Sequence, residues 1–212
     1  TGKPFAISAR AEVQYEEAMM AGDANGKLEA LQMFEEVRRL KPDMASPYIH
    51  RGRWLMESGR YPEALIELDK SLDRYENHPA ALLFKGTTQL AMGQPEEALT
   101  TLRLLESIKP DENCLRMLAS TYANLAMVDE METTYERLRE MGVEPADLIW
   151  ERALALEKQG YLDRAIDVFN QGLALPGLTE NAQLIRGLAI LQMKAGRFEE
   201  ALGSFILQEE VE

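Results

Sequence analysis

The sequence predicts an all-α protein built from six successive pairs of antiparallel helices. Three observations predict it. A set of small and large residues recurs about every 34 positions. Between breaks the apolar residues keep helical spacing, as Leu65, Leu68 and Leu72 do, and no segment reads as a strand. Glycine and proline fall at matching places in successive copies, where the chain has to turn.

The second helix of each copy carries two anchors four residues apart: Ala30 and Phe34, Ala64 and Leu68, Ala98 and Leu102, Met131 and Tyr135, Ala165 and Phe169, Ala201 and Phe205. The copies step by 34, 34, 33, 34 and 36 residues. Twelve residues before each first anchor stands another small residue: Ala18, Gly52, Gly86, Ala119, Ala153 and Ala189. Small side chains let two helices approach, and the large residue one turn later fills the gap beside them. A glycine five residues before the anchor marks the turn in four copies (Gly59, Gly93, Gly160, Gly196); the fourth copy has Ala126 there. Pro42, Pro79, Pro110, Pro145 and Pro176 separate the copies, because proline cannot continue a helix. The repeats are expected near 11–44, 45–78, 79–111, 112–145, 146–181 and 182–212, forming one domain over 8–212. Residues 1–7 read as a linker or as added residues.

These small-residue pairs, the aromatic or aliphatic residue after each alanine and the prolines near the copy ends resemble the tetratricopeptide repeat family over about residues 8–210. The resemblance implies a right-handed superhelical solenoid, with a concave face built from the first helix of each pair. The fourth copy departs most from the pattern, which implies local irregularity in stacking. Some members of the family grip chaperone C-termini with lysine and asparagine. Ile49 and Arg53 stand where the first of those residues would be, so that subclass is not expected.

Short helices of this kind are marginal alone, so neighbouring pairs must cover one another. Phe205, Ile206 and Leu207 lie where no later helix covers them all, which suggests a fragment or an end that packs on something else.

The segment "GDANGKLEAL" (22–31) has the composition of a phosphate or calcium loop. A phosphate loop needs four residues between its glycines and a hydroxyl after the lysine; here there are three, and Leu28 follows Lys27. A calcium loop would begin at Ala21 and end at Gln32, neither of which is a carboxylate. The segment therefore reads as a helix–helix turn, with Asn25 and Gly26 available for left-handed backbone.

Other chemistry is equally thin. His50 and His78 show no paired-ligand spacing, and Cys114 reads as a small buried hydrophobe. The acidic pairs Glu35–Glu36, Glu96–Glu97 and Glu199–Glu200 lie on second helices, mostly near helix starts that favour negative charge. No catalytic residue, metal or cofactor is expected.

The 212 residues are 46% apolar, enough for a sizeable core, and no run is long enough to span a membrane. A net charge of −13 disfavours nucleic acid and anionic membranes. One cysteine does not distinguish compartments, and cytoplasm and bacterial periplasm both fit.

Function is therefore expected on the inward face of the first helices. Residues three before, one after and four after each small residue select Tyr15 and Met19; Ile49, Arg53 and Met56; Leu83, Thr87 and Leu90; Arg116 and Ser120, with Ala123; Trp150 and Leu154; Arg186 and Ile190, with Met193. Their apolar middle suits a peptide or a partner helix, and the arginines suit carboxylates, although Glu57, Asp147 and Glu157 dilute the charge. The expected function is a non-enzymatic protein-interaction scaffold or adaptor. The alternative is a self-associating or assembly module of a larger protein, joined through its C-terminal end.

Overall fold

A computed structural model describes residues 2–143 and 145–211, with the backbone alone at Val211. Thr1, at the start of the expected linker, lies outside the described residues. Among them every regular element is a helix: α1 (Lys3–Ala21), α2 (Ala24–Leu40), α3 (Ser46–Glu57), α4 (Tyr61–Leu72), α5 (Pro79–Ala91), α6 (Pro95–Ile108), α7 (Glu112–Asn124), α8 (Val128–Glu140), α9 (Pro145–Lys158), α10 (Leu162–Leu173), α11 (Ala182–Lys194) and α12 (Phe198–Val211). The fold class is all-α and built of helix pairs, as expected. Residues 3–7, read as linker, instead form the start of α1.

The chain divides into two compact units, Thr1–Pro110 and Asp111–Glu212. The first stacks the pairs α1–α2, α3–α4 and α5–α6; the second stacks α7–α8, α9–α10 and α11–α12. Proline occupies the first turn of α1, α3, α4, α5, α6 and α9, where its missing N–H is not needed.

Anchor residues meet as their spacing requires. A Cβ on Gly52 would lie 2.7 Å from Leu68 Cγ, and one on Gly86 would lie 2.7 Å from Leu102 Cγ. Leu68 and Leu102 are wholly buried, so each glycine is the space its partner leucine fills. Phe34, Tyr135 and Phe169, the large anchors of three other pairs, are likewise buried, as is Met131 in the alanine's place. In the first pair the core is Ala11, Tyr15, Ala30 and Phe34, with Met19 and Trp54 packed against it.

All six turns within pairs share one geometry. A residue with positive φ follows the first helix, and the next N–H reaches back to the last full turn: Asp23 to Ala18 O (2.8 Å), Gln94 to Gln89 O (2.9 Å), Met127 to Tyr122 O (2.9 Å). Five of those residues are glycine; the sixth is Ala126, at φ 56°. The opening motif is a turn, but its left-handed residue is Gly22, not Asn25 or Gly26. Asp23 caps α2 by accepting the Asn25 N–H at 3.0 Å, which places Asn25 and Gly26 inside the helix. Gly26 serves close approach, because a Cβ there would stand 2.9 Å from that of Ala18.

Candidate functional site

In the first unit, the first-helix face expected to bind a ligand is largely filled by its own side chains. Tyr15 is wholly enclosed and Ile49 is 4% exposed, so neither offers a surface; the groove role expected of these two is corrected. At the same position of the other pairs, Leu83, Arg116 and Trp150 are half-buried and Arg186 is exposed. His50 stacks on Phe34 (4.4 Å between ring centres, 10°) and meets Tyr15 edge-on, a packing role.

Arg53 is spoken for. It pairs with Glu16 and with Glu57 (3.0 Å), and its guanidinium lies 5.4 Å from the ring centres of both Tyr15 and Phe84. Burial works against its charge, and the bonds to Glu16 and Glu57 hold it above the ordinary arginine value. Burial, reinforced by Glu57, keeps the Tyr15 hydroxyl protonated, and it donates to Glu57 at 3.4 Å. Met19, Met56, Leu83, Thr87 and Leu90 are half-buried, and Thr87 returns its hydroxyl to Leu83 O at 2.9 Å.

The second unit leaves more open. Arg116 is held by Glu112 (2.9 Å) and Glu151, with burial opposing and both carboxylates restoring its charge. Ser120 is exposed, while Ala123 is buried. Between α9 and α11 lies an open pocket of about 550 Å³. Trp150, Arg186 and Ile190 line it, with Asp147, Glu151 and Asn181 at its polar margin. Trp150 is half-buried and set edge-on to Phe169, 5.5 Å between ring centres, so its position is fixed by the core. Leu154, Ile190 and Met193 are more than a third exposed, and Arg186 is exposed with no ion pair among the described residues.

The residues that sequence reasoning missed are the acids two before the small residue, Glu16 and Glu151, which satisfy Arg53 and Arg116. The signal was present: each lies about one repeat from its arginine. Arg186 sits where Arg116 does, three before the small residue, and has no ion pair among the described residues.

No group of three His, Cys, Asp or Glu able to hold a metal occurs among the described residues. Cys114 is buried. No helix among them is long and apolar enough to cross a membrane.

No curated protein sequence matches the chain. Solved structures match its fold. A tetratricopeptide repeat protein from Parabacteroides merdae is 18% identical, with TM-score 0.70, over 94% of this chain and 77% of that one. YrrB, described as a TPR protein with an unusual peptide-binding site, is 17% identical, with TM-score 0.62, over 84% of this chain and 92% of its own. MamA MSR-1 is 23% identical, with TM-score 0.56, over 79% and 95%. Two family models described as tetratricopeptide repeat match residues 15–79 and 55–121, together about half the sequence. With six helix pairs, the small-to-large contacts inside them and these matches, the chain belongs to the tetratricopeptide repeat family.

Proposed function

We propose that the protein is a non-catalytic scaffold that binds a peptide or helical segment on the first-helix face of its second unit. The observation that carries this reading is the pocket between α9 and α11: an immobilised indole, an exposed isoleucine and an arginine with no ion pair among the described residues. Apolar surface gives such a site its affinity, and a forked guanidinium gives it orientation. The first unit supports rather than binds, because Tyr15 and Ile49 are buried and Arg53 is paired. YrrB's peptide-binding site is consistent with the fold being used this way.

Peptides selected from a randomised display library on the wild-type protein test the proposal. Ile190→Glu with Arg186→Glu changes two exposed residues, so helical circular dichroism stays the same while affinity falls by about a hundredfold. Unchanged affinity in the folded double variant removes the site.

A second reading, an assembly module joined through the C-terminal end, is favoured by one observation. α12 exposes Phe198 (69%), Leu202 (62%), Ile206 (50%) and Leu207 (44%). Its failure would show as α12 variants that alter neither partner binding nor solution mass.

A further inference from the structure

We propose that Gly187 holds the pocket between α9 and α11 open: it is the positioning residue that seats the Trp150 indole against the core, and so sets how large a ligand side chain the pocket admits. The inference rests on the peptide reading above and names what selects among peptides. Gly187 lies inside α11, where glycine weakens a helix, so its presence there needs a cause. It stands two before the small residue Ala189. The other five copies have Glu16, His50, Phe84, Met117 and Glu151 at that position, all with long side chains.

Two of those five show what the position does. His50 closes over the preceding first helix: it meets the Tyr15 ring edge-on at 5.5 Å and stacks on the anchor Phe34 at 4.4 Å, and Tyr15 is wholly buried. Glu151 reaches its preceding first helix and pairs with Arg116. Tyr15, Arg116 and Trp150 are counterparts, each three before its small residue, and Phe34 and Phe169 are counterpart anchors. Over Trp150 the next first helix brings a glycine and no side chain. The indole takes that place itself, edge-on to Phe169 at 5.5 Å between ring centres.

The fit leaves no room for a methyl group. A Cβ on Gly187 would overlap Trp150 Cζ3 and stand 2.6 Å from Phe169 Cζ. Phe169 is 1% exposed and fixed in the core. Trp150 is half-buried and lines the open pocket of about 550 Å³. The indole is therefore the group that yields, and the pocket is the space it moves into. A larger residue at 187 fills the pocket with the protein's own tryptophan, first at the expense of ligands with a large apolar side chain.

The chain has two tryptophans, so Trp54→Phe leaves Trp150 as the sole indole. In that background Gly187→Ala should move Trp150 emission to longer wavelength and raise its quenching by acrylamide, with helical circular dichroism unchanged. Peptides selected on the wild-type protein should bind Gly187→Ala about tenfold more weakly. Urea midpoints in a double-mutant cycle should couple the two sites: Gly187→Ala lowers the midpoint when Trp150 is present and lowers it less on Trp150→Leu. Unchanged emission and quenching overturn the proposal, because the ring has not moved. So does an equal loss in both backgrounds, which puts the effect in α11 itself. If Gly187→Ala alone does not fold, recovery of the fold by Trp150→Leu supports the proposal and its absence overturns it. Peptides released by Ile190→Glu with Arg186→Glu but untouched by Gly187→Ala overturn the proposal and keep the peptide site. Peptides indifferent to both remove the peptide site, and the seating of the indole then stands or falls on the emission and the midpoints.

Discussion

Ala126→Gly should stabilise the protein, and the size of the effect follows from one dihedral angle. Ala126 holds φ 56° in a turn whose five counterparts are all glycine. A residue with a Cβ in the left-handed region costs about 1–2 kcal/mol. Introducing glycine also frees the unfolded chain, which costs about 0.4–1 kcal/mol. The difference leaves a gain of about 0.5–1 kcal/mol. Nothing else in the turn need change, because the backbone bonds from Met127 to Tyr122 O and from Ala126 to Ala123 O (3.3 Å) use no side chain. Gly93→Ala is the matched reverse experiment: it puts a Cβ at φ 73° with open space around it, so strain alone acts, and stability should fall by a similar amount. Urea unfolding followed by circular dichroism reads both as midpoint shifts of opposite sign with the slope unchanged. A neutral or destabilising Ala126→Gly, or a stabilising Gly93→Ala, would refute the assignment of strain to this backbone position.

Gly86→Val should destabilise by about 2–3 kcal/mol, because its branched side chain overlaps Leu102; Leu102→Ala should return part of that loss in a double-mutant cycle. Arg53→Met should cost more stability than Arg186→Met, since it removes ion pairs to both Glu16 and Glu57 whereas Arg186 has none among the described residues; thermal melts of the two variants compare them. Acidification should weaken the protein through His50. Burial holds its imidazole below the ordinary value of 6.5, against the opposing pull of Glu12 and Glu16 and with the help of Arg53 and His78. The neutral ring is therefore the folded form. Its contribution is complete above the unfolded value, is lost as pH falls through it, and stops falling below the lowered folded value. His50→Phe keeps the stack on Phe34 and should flatten that part of the urea-midpoint profile, while an unaltered profile would locate the titration elsewhere.

Much of the fold is legible in the sequence because its causes are local and repeated. The small residue, the anchor and the turn residue recur at fixed spacing, and each contact they make lies within one pair, as Gly52 with Leu68 shows. Six of the twelve described helices even announce their starts with proline in the first turn. The opening turn was legible as a turn but not in its register. Asn25 and Gly26 look as eligible as Gly22 until Asp23 is seen capping α2. The site was legible only as a set of positions. Spacing selects Tyr15, Ile49, Trp150 and Arg186 alike, because the same helical register applies to all of them.

What the sequence alone determined is the architecture of each repeat, since six imperfect copies restate one packing rule and their errors average out. What only the tertiary structure decided is which positions remain free. Tyr15 and Ile49 are buried by packing, and Arg53 and Arg116 are neutralised by carboxylates carried on neighbouring first helices. Arg186, Phe198 and Leu202 are exposed among the described residues. Exposure and charge pairing depend on side chains a whole repeat apart, and no single copy of the pattern contains that information.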